Sequence, residues 1–524
     1  MAFMAAILPF LSSCVNDLDV VPLDDDEVTT ATFYSSQEEY TQVIAKLYAG
    51  LAITGQQGPA GAPDIAGLDE GSQASYLRMY WTHQELPTEE AIIAWNDQTI
   101  KDFHNQSWGA SDPFILGMYS RLFFQIALAN EFIRESADGK ISGFDAGTQE
   151  LIRGYRAEAR FLRALSYWHA LDLFDGNVPF VTEADEPGAF LPPQTNAQDL
   201  FSYIEGELLE IGGDNSALPE PMSNEFARAD KAAVWMLLSK LYLNAEVYIG
   251  QDRYSDAAEY ASKVINAGYS LDSNYEHLFM LNNETSNEII FRIAFDGQRS
   301  QSFGGMTFLI YAALAGDMNP ADFGVGGGWG GIRSTSALVN KFDEQDGRAQ
   351  FYTDGRTLEI EDVSTFTDGF SVVKYKNLRD EGDTFTSGSN PEFPDTDFPM
   401  FRLGDAYLMY AEAAVRGASG ADAATAVSYI NELRERAFGD DSQNITAADL
   451  SLDFILDERS RELYWECHRR TDLRRHGKLT GGEYLWPWKG GVKEGRATDE
   501  KYNIFPLPAS DVSANPNLTQ NPGY

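Results

Sequence analysis

The chain has 524 residues and a formal net charge of -41, from 39 Lys and Arg against 80 Asp and Glu. A hydrophobic content of 43% with 13% aromatic residues is typical of a globular protein rather than a disordered one. The acidic excess argues against a nucleic-acid partner, because phosphate binding requires clustered Lys and Arg. It favours solubility and neutral or cationic ligands.

The first feature along the chain is a short apolar segment that ends at a cysteine. Leu11-Ser12-Ser13-Cys14 matches the bacterial lipobox. The apolar run before it is shorter than the ~20 residues that a helix needs to cross a bilayer, so residues 1–13 are predicted to be a signal peptide. No Lys or Arg precedes the run, so the coding start is expected further upstream. We expect lipid on Cys14 to be the anchor; the alternative is a chance cysteine in a frayed terminus.

Most of the first half has the apolar spacing of helices. Two helix starts are predicted from capping-box spacings, Ser35 with Glu38 and Thr195 with Gln198. The strongest helix pattern covers residues 151–174. It carries arginines on one face, at positions 153, 156, 160 and 163. We interpret this stripe as pairing with carboxylates of neighbouring helices, and a docking face for anionic groups is the alternative.

The second half alternates between helix pairs and a loop-rich segment. Residues 226–267 and 401–437 each read as a pair of helices with recurring alanines, which is typical of tetratricopeptide-type repeats. Residues 270–400 contain short strand-like runs such as "EIIFRIAF", separated by loops rich in Gly, Asn, Asp and Ser. Loops of this length on a rigid frame usually carry function.

Motifs for catalysis and for metal or nucleotide binding are scarce. "GGGWGG" at 326–331 has the Gly spacing of a dinucleotide loop but does not open a strand–helix unit. Cys467 lies in a helical pattern and is predicted to be a buried, unreactive thiol. With two Cys and six His, we expect no transition-metal site and no cofactor, while a structural calcium stays open. Two carboxylates placed by the fold could still form a glycosidase site.

Aromatic residues among polar ones offer a more definite candidate. The stretch 75–108 places Trp81, Trp95 and Trp108 among Arg, Asn, Gln and Asp, and glycines surround Trp329. Flat aromatic faces stack on sugar rings, while amides, Arg and carboxylates bond to hydroxyls. Burial against helices is the alternative for every Trp. We expect it for Trp168 and Trp235, and both alternatives stay open for Trp95 and Trp329.

Several stretches together resemble SusD/RagB outer-membrane lipoproteins. They are "GYRAEARFLRALSYWHALDLFDGNVPFVTE", "FRLGDAYLMYAEAAVRG", "INELRERA", "ILDERSRELYWECHRRTDLRRHGKL" and the ending "FPLPASDVSANPNLTQNPGY". The resemblance runs in order from the lipobox to Tyr524. One departure is Cys467, which stands where the family often has Gly.

The resemblance implies a mostly α fold, in which tetratricopeptide-type helix pairs pack beside an irregular, loop-rich region with a few short strands. It implies residues 14–524 as the mature fold, with an N-terminal part at about 14–230 and a RagB/SusD C-terminal part at about 270–524. It further implies a non-catalytic protein, lipid-anchored and exposed on the outer membrane. Such a protein binds a glycan and delivers it to a SusC-like TonB-dependent transporter.

The resemblance also suggests candidate ligand residues. In a starch-binding member of the family, an arc of aromatics with a nearby Arg and amide recognises the glucan. By position along the chain, Arg78, Trp95 and Gln98 would match the first part of the arc, and Trp329 the later part. The remaining candidates are Tyr311, for a further aromatic, and Trp81 and Asn96 in the first stretch.

Three alternatives to a glycan-binding lipoprotein remain at this level. A surface glycoside hydrolase would release reducing sugar, and a repeat scaffold would bind only protein. A family member that binds peptides or another nutrient would need no change of fold.

Overall fold

The computed structural model describes residues 33–55, 58–59, 63–185, 188, 190–315, 317–380 and 385–524, so the predicted signal peptide and Cys14 lie outside the described residues. The described residues form 17 α-helices: α1 Gln37–Ala52, α2 Tyr76–Glu85, α3 Gln98–His104, α4 Pro113–Glu135, α5 Asp138–Ile141, α6 Ala146–Phe174, α7 Ala197–Ile211, α8 Lys231–Leu243, α9 Ala245–Ile249, α10 Tyr254–Ile265, α11 Met306–Tyr311, α12 Ser336–Val339, α13 Leu403–Val415, α14 Ala423–Phe438, α15 Leu452–Leu463, α16 Arg469–Arg475 and α17 Ala509–Ala514.

Short strands and 3-10 helices occupy the segments between these helices. The strands are β1 Ile92–Ile93, β2 Ile289–Ile293, β3 Ile332–Arg333, β4 Phe351–Tyr352, β5 Ser371–Val372, β6 Leu378–Asp380, β7 Phe385–Ser387 and β8 Phe398–Arg402. They pair antiparallel as β1–β3, β2–β8, β4–β5 and β6–β7. The 3-10 helices are Tyr275–Phe279, Asn283–Thr285, Pro320–Phe323, Lys489–Gly491 and Glu500–Asn503. The predicted mostly α architecture with a loop-rich region is confirmed.

The long helices form a continuous array in which each packs on the next, in the order α4, α6, α7, α8, α10, α13 and α14. The two predicted helix pairs correspond to α8 with α10 and to α13 with α14. Alanines such as Ala257, Ala261 and Ala406 are fully buried there, and small side chains let helix axes approach closely. No described helix is both long and apolar enough to span a membrane.

Both predicted helix caps are displaced by one residue. Ser36 rather than Ser35 caps α1: its Oγ accepts from the Glu39 backbone N–H at 3.4 Å, and the Glu39 carboxylate accepts from the Ser36 N–H at 2.6 Å. Because two serines and two glutamates stand side by side, the same spacing occurs twice. Asn196, an equally good cap, takes the place predicted for Thr195 at α7.

The arginine stripe of α6 pairs with carboxylates, as predicted. Arg160 contacts Glu207 and Glu210, both at 2.8 Å, and Arg163 contacts Glu207 at 2.7 Å. These bonds join α6 to α7. Arg153 makes exposed pairs with Asp138 and Glu150 at the start of the helix. The stripe is therefore committed to helix–helix contacts.

A buried network of charges joins the loop-rich region to the helical array. Arg402, at the junction of β8 and α13, donates to the carboxylates of Glu288, Glu462 and Glu466 at 2.6 to 2.9 Å. All four side chains are buried. Lys374 donates to the same Glu466 at 2.7 Å. The network joins the start of β2, the segment after β5, the end of β8 and α15, and so holds the loop-rich region against the helices.

Cys467 is buried as predicted, but its predicted helical backbone is wrong. α15 ends at Leu463 and α16 begins at Arg469, and between them Cys467 has a left-handed backbone with φ of 67°. Glycine adopts this conformation without steric cost, which explains why Gly suits the position. Burial raises the pKa of the Cys467 thiol well above its usual value, so the thiolate that would react is disfavoured.

Candidate functional site

The β1–β3 pairing brings the two candidate tryptophans together. Ile93 pairs with Ile332, and the next amide, Ala94 N–H, donates to Gly331 O at 3.0 Å. Trp95 follows directly, and its indole Nε1 donates to Gly330 O at 2.6 Å. Residues more than 230 positions apart in the chain thereby form one surface, because a short antiparallel pair aligns them.

The glycines around Trp329 have a packing role. A Cβ on Gly331 would lie 2.6 Å from the indole Nε1 of Trp95, so only glycine lets that ring lie on the backbone. Gly330 has φ of 60°, a left-handed conformation that favours glycine. The loop is also bonded to the end of α11, since Trp329 N–H donates to Tyr311 O at 2.8 Å. The "GGGWGG" run is therefore a scaffold for two indoles.

Trp329 is the exposed member of this pair of tryptophans. Its side chain is 37% exposed and its ring centroid lies 5.5 Å from that of Tyr311 and 6.4 Å from that of Phe303. Tyr311 is only 6% exposed; its hydroxyl donates to Pro391 O and accepts from Gly326 N–H. Tyr311 therefore supports Trp329 from beneath and offers little ring surface to a ligand.

A cavity of about 460 Å³ opens beside Trp95 and contains two further candidates. Arg78, Trp95 and Gln98 all line it. The other lining residues are Ser72, Gln73, Asp97, Thr99, Ile100, Asp102, Gly109, Ser111, Asp112, Pro113 and Phe114. This volume is within the range of small-molecule sites, and the lining combines one indole with several polar groups.

Arg78 supplies a positive charge at the floor of this cavity. Its guanidinium carbon lies 4.6 Å from the Phe308 ring centroid and 5.7 Å from that of Trp95, and Nη1 donates to Gly71 O at 3.2 Å. Its buried Nε has no hydrogen-bond partner in the part of the chain that the structure describes. Burial lowers the pKa of Arg78 to about 10, against the opposing effect of nearby carboxylates, so it stays charged at neutral pH.

The two candidate amides lie at the start of α3. Gln98 Nε2 donates to Asp102 Oδ1 at 2.8 Å, which leaves its carbonyl oxygen available at the cavity. Asn96 is exposed beside the cavity and accepts from Lys101 Nζ at 2.5 Å. Both amides can bond to hydroxyl groups after a side-chain rotation.

Trp81 is the candidate that the structure removes from the surface. Its side chain is fully buried, with ring centroids of Phe308 at 5.5 Å and Trp465 at 5.2 Å. The physical reason is that α2 packs inward on this face, where Trp465 from the turn after α15 meets it. Trp81 is a core residue beneath the site and has no surface for ligand contact.

The sequence analysis missed two aromatic residues of this surface. Phe303 packs beside Trp329, and Phe366 is 36% exposed against Gly330. Phe366 stands in the polar run "VSTFTDGF", and an aromatic in polar surroundings was the signal that singled out Trp95 and Trp329. The same signal would have identified Phe366.

Two of the three carboxylates that line the cavity, Asp102 and Asp112, are engaged in local structure. Asp112 caps α4 through the Phe114 N–H at 2.8 Å and accepts from the Thr99 hydroxyl. Burial raises the pKa of Asp112, and these hydrogen bonds oppose the rise. Among described residues, no group of three or more His, Cys, Asp or Glu is placed to hold a metal. The arrangement is suited to stacking and hydrogen bonding.

Comparisons with known proteins agree with this architecture. A model of the SusD family matches residues 352–524. The chain is 38% identical to the starch-binding protein SusD of Bacteroides thetaiotaomicron over an alignment of 579 positions, gaps included, which covers 100% of this chain and 98% of that protein. It is 26% identical to SusD-like protein P2 of Formosa agariphila, over 81% of this chain and 83% of that protein.

A solved structure shares the fold over almost the whole chain. Surface glycan-binding protein A from Bacteroides fluxus superimposes with a TM-score of 0.70 at 20% identity, covering 93% of this chain and 100% of that one. The family is decided by the match to the SusD family model and by the 38% identity to a relative over the full chain. This chain belongs to the SusD family.

Proposed function

We propose that this protein binds a glycan without cleaving it, and that starch-type α-glucans are its ligands. The carrying observation is that Arg78, Trp95 and Gln98 line one open cavity, while the β1–β3 pairing holds the loop of the exposed Trp329, distant in sequence, against Trp95. The 38% identical relative is named a starch-binding protein, which supports the choice of glucan. Polar groups that recognise hydroxyls and indoles that stack on sugar faces are the combination that such a ligand requires.

Each side chain has a separate part in the proposed binding. Trp329 presents a ring face to solvent, and Trp95 borders the cavity with its indole N–H already bonded to Gly330 O. Ring stacking therefore does not compete with that hydrogen bond. Arg78 uses only Nη1 in a hydrogen bond among described residues, to Gly71 O, and Gln98 retains its carbonyl oxygen. Sugar hydroxyls donate and accept, so both groups can be used.

The proposed lack of catalysis rests on the carboxylates around the cavity. A glycosidase needs a protonated and an ionised carboxyl on opposite sides of the bond. Asp112 is engaged as a helix cap, and Asp102 accepts from Gln98 and from the Ser107 hydroxyl. Glu85 and Glu90, whose pKa values burial raises, lie in the core rather than at the cavity.

Trp329→Ala is expected to weaken binding of soluble starch and maltoheptaose by about five- to tenfold, because it removes the exposed stacking face. Isothermal titration calorimetry on the soluble chain from residue 15 measures the change. Phe190→Ala is the matched control, since Phe190 is 43% exposed and does not line the cavity. Unchanged affinity in Trp329→Ala would contradict the proposal, and release of reducing sugar would favour a hydrolase instead. Binding to peptides in place of glycans would identify a different nutrient.

We also propose that residues 1–13 are removed, that Cys14 is lipidated, and that the mature chain from 14 is displayed on the outer membrane. In keeping with the family resemblance, the parts at about 14–230 and 270–524 form one binding module. Its helical array docks a SusC-like TonB-dependent transporter, and its loop-rich region presents the glycan. This assignment places the anchor on a segment that precedes α1.

Cys14→Ser is expected to move the protein from the membrane fraction to the soluble fraction, because the acyl chains are lost. Fractionation should be done in a host without the transporter, so that docking cannot retain the variant. Cys467→Ser serves as the control cysteine change and should leave the protein in the membrane fraction. A Cys14→Ser protein that still sediments with membranes would refute the anchor.

A further inference from the structure

Phe366, which is 36% exposed, adds a further aromatic ring beside the loop of Trp329. Its Cε1 and Cδ1 atoms lie 3.4 and 3.5 Å from the position of a Cβ on Gly330. Gly330 is the residue whose carbonyl holds the Trp95 indole and whose chain neighbour is Trp329. Trp95 therefore packs on Gly331 and Phe366 packs on Gly330, the two residues that follow Trp329 in the chain.

The loop that carries Phe366 is fixed before any ligand arrives. Arg356 donates through Nη1 to Phe366 O at 2.5 Å and through Nη2 to Asp317 Oδ1 at 2.8 Å. Two backbone hydrogen bonds close the base of the loop, from Thr357 N–H to Thr367 O at 3.1 Å and from Gly369 N–H to Thr357 O at 2.8 Å. A ring held in this way loses little conformational entropy on binding.

The same strand pair that positions the tryptophans also holds this loop. Arg333 of β3 is buried and donates through Nε to Asp368 O at 2.7 Å and through Nη2 to Val363 O at 2.8 Å. Since β3 pairs with β1, one small sheet sets the relative positions of Trp95, Trp329 and Phe366. Exposed aromatic rings on a rigid frame are the usual form of a platform for stacking.

We propose that Phe366 forms a further sugar subsite beyond Trp329, so that this protein selects glucan chains long enough to reach it. The inference rests on the proposed glycan binding and adds a length requirement to it. A short oligosaccharide occupies the cavity of Arg78 and Gln98 and the two indoles. A longer chain continues past Gly330 and stacks on the Phe366 ring.

The test compares two chain lengths in the same calorimetric titration, maltotriose and maltoheptaose. Phe366→Ala is expected to weaken maltoheptaose binding about fivefold and to change maltotriose binding by less than about twofold. Phe366→Tyr keeps a flat ring and should bind both as the wild type does. Phe366→Leu keeps apolar volume against Gly330 without a flat face and should behave as Phe366→Ala does. Phe190→Ala is again the surface control.

The outcomes separate the subsite from the general function. Equal affinity of wild type and Phe366→Ala for maltoheptaose would overturn the subsite, as would an equal loss for both chain lengths. Wild-type affinity in Phe366→Leu would show that no stacking face is needed and would also overturn it. If the wild type binds neither sugar, the proposed glucan ligand fails first and the subsite fails with it.

Discussion

Replacing Arg402 with methionine is expected to lower the free energy of unfolding by about 3 to 5 kcal/mol, because buried carboxylates lose their shared partner. Arg402 is 1% exposed and donates to Glu288, Glu462 and Glu466. Glu466 would keep only Lys374 of these cations. Methionine fills part of the volume but offers no donor, so the loss reports the missing charge pairing rather than a cavity; Glu288 and Glu462 keep Arg436 as a partner.

Urea denaturation followed by circular dichroism measures this change. The matched control is Arg153→Met on α6, where Asp138 and Glu150 are exposed partners. Exposed ion pairs contribute at most about 1 kcal/mol, so the control should be nearly neutral. Arg402→Met combined with Glu466→Gln should recover part of the stability, because it removes a buried carboxylate that has only Lys374 left as a charged partner. If the Arg402→Met protein were as stable as the Arg153→Met protein, the role of the network would be refuted.

The protein is expected to lose stability steeply between about pH 4.5 and 2, as carboxylates of the arginine-rich core are protonated. Burial alone would raise the pKa of Glu458, but the charges of Arg348 and other arginines outweigh burial and lower it to about 2. Burial alone would also raise the pKa of Asp472, but the charges of Arg459 and Arg475 outweigh burial and lower it to about 2. Each such carboxylate stabilises the fold while ionised, on the order of 2 to 3 kcal/mol, and this contribution is lost as it is protonated.

Glu90 has the opposite sign on the neutral side. Burial, opposed by Arg469, raises its pKa from 4.5 to about 7, so the folded state favours its protonated form. Its contribution is full below about pH 4.5 and is lost as the pH rises to about 7. Burial also lowers the pKa of His83, His104 and His169 from 6.5 to about 3, so these histidines destabilise the fold as the pH falls below 6.5 and oppose Glu90 between pH 7 and 5. Urea midpoints at pH 7, 5 and 3 follow the profile.

Glu90→Gln is the control for this pH profile. It should make the stability at pH 5, relative to that at pH 7, lower than in the wild type and leave the acid limb unchanged, because Gln does not titrate. Stability that stays constant down to pH 3 would contradict the depressed pKa values in the arginine-rich core. An unchanged slope between pH 7 and 5 in Glu90→Gln would contradict the assignment of Glu90.

The local sequence was sufficient for the helices and for part of the candidate site. Apolar spacing identified the helix pairs, and capping residues located α1 and α7 to within one position. These features depend on contacts between residues three or four apart, which the sequence displays directly. Aromatics in polar or glycine-rich surroundings identified Trp95 and Trp329 for a similar reason, since core helices seldom have such neighbours.

Which aromatic is exposed was decided only by tertiary contacts. Trp81 and Trp95 stand in the same stretch of sequence, yet Trp81 is fully buried against Trp465, almost 400 residues away, while Trp95 borders the cavity. Phe366 lies beside the candidate site because Arg333 bonds its loop to the strand that follows Trp329. Such long-range packing depends on where distant segments meet, and one-dimensional spacing carries no record of it. The sequence alone determined the helices and the family resemblance, and the tertiary structure determined which residues form the candidate binding surface.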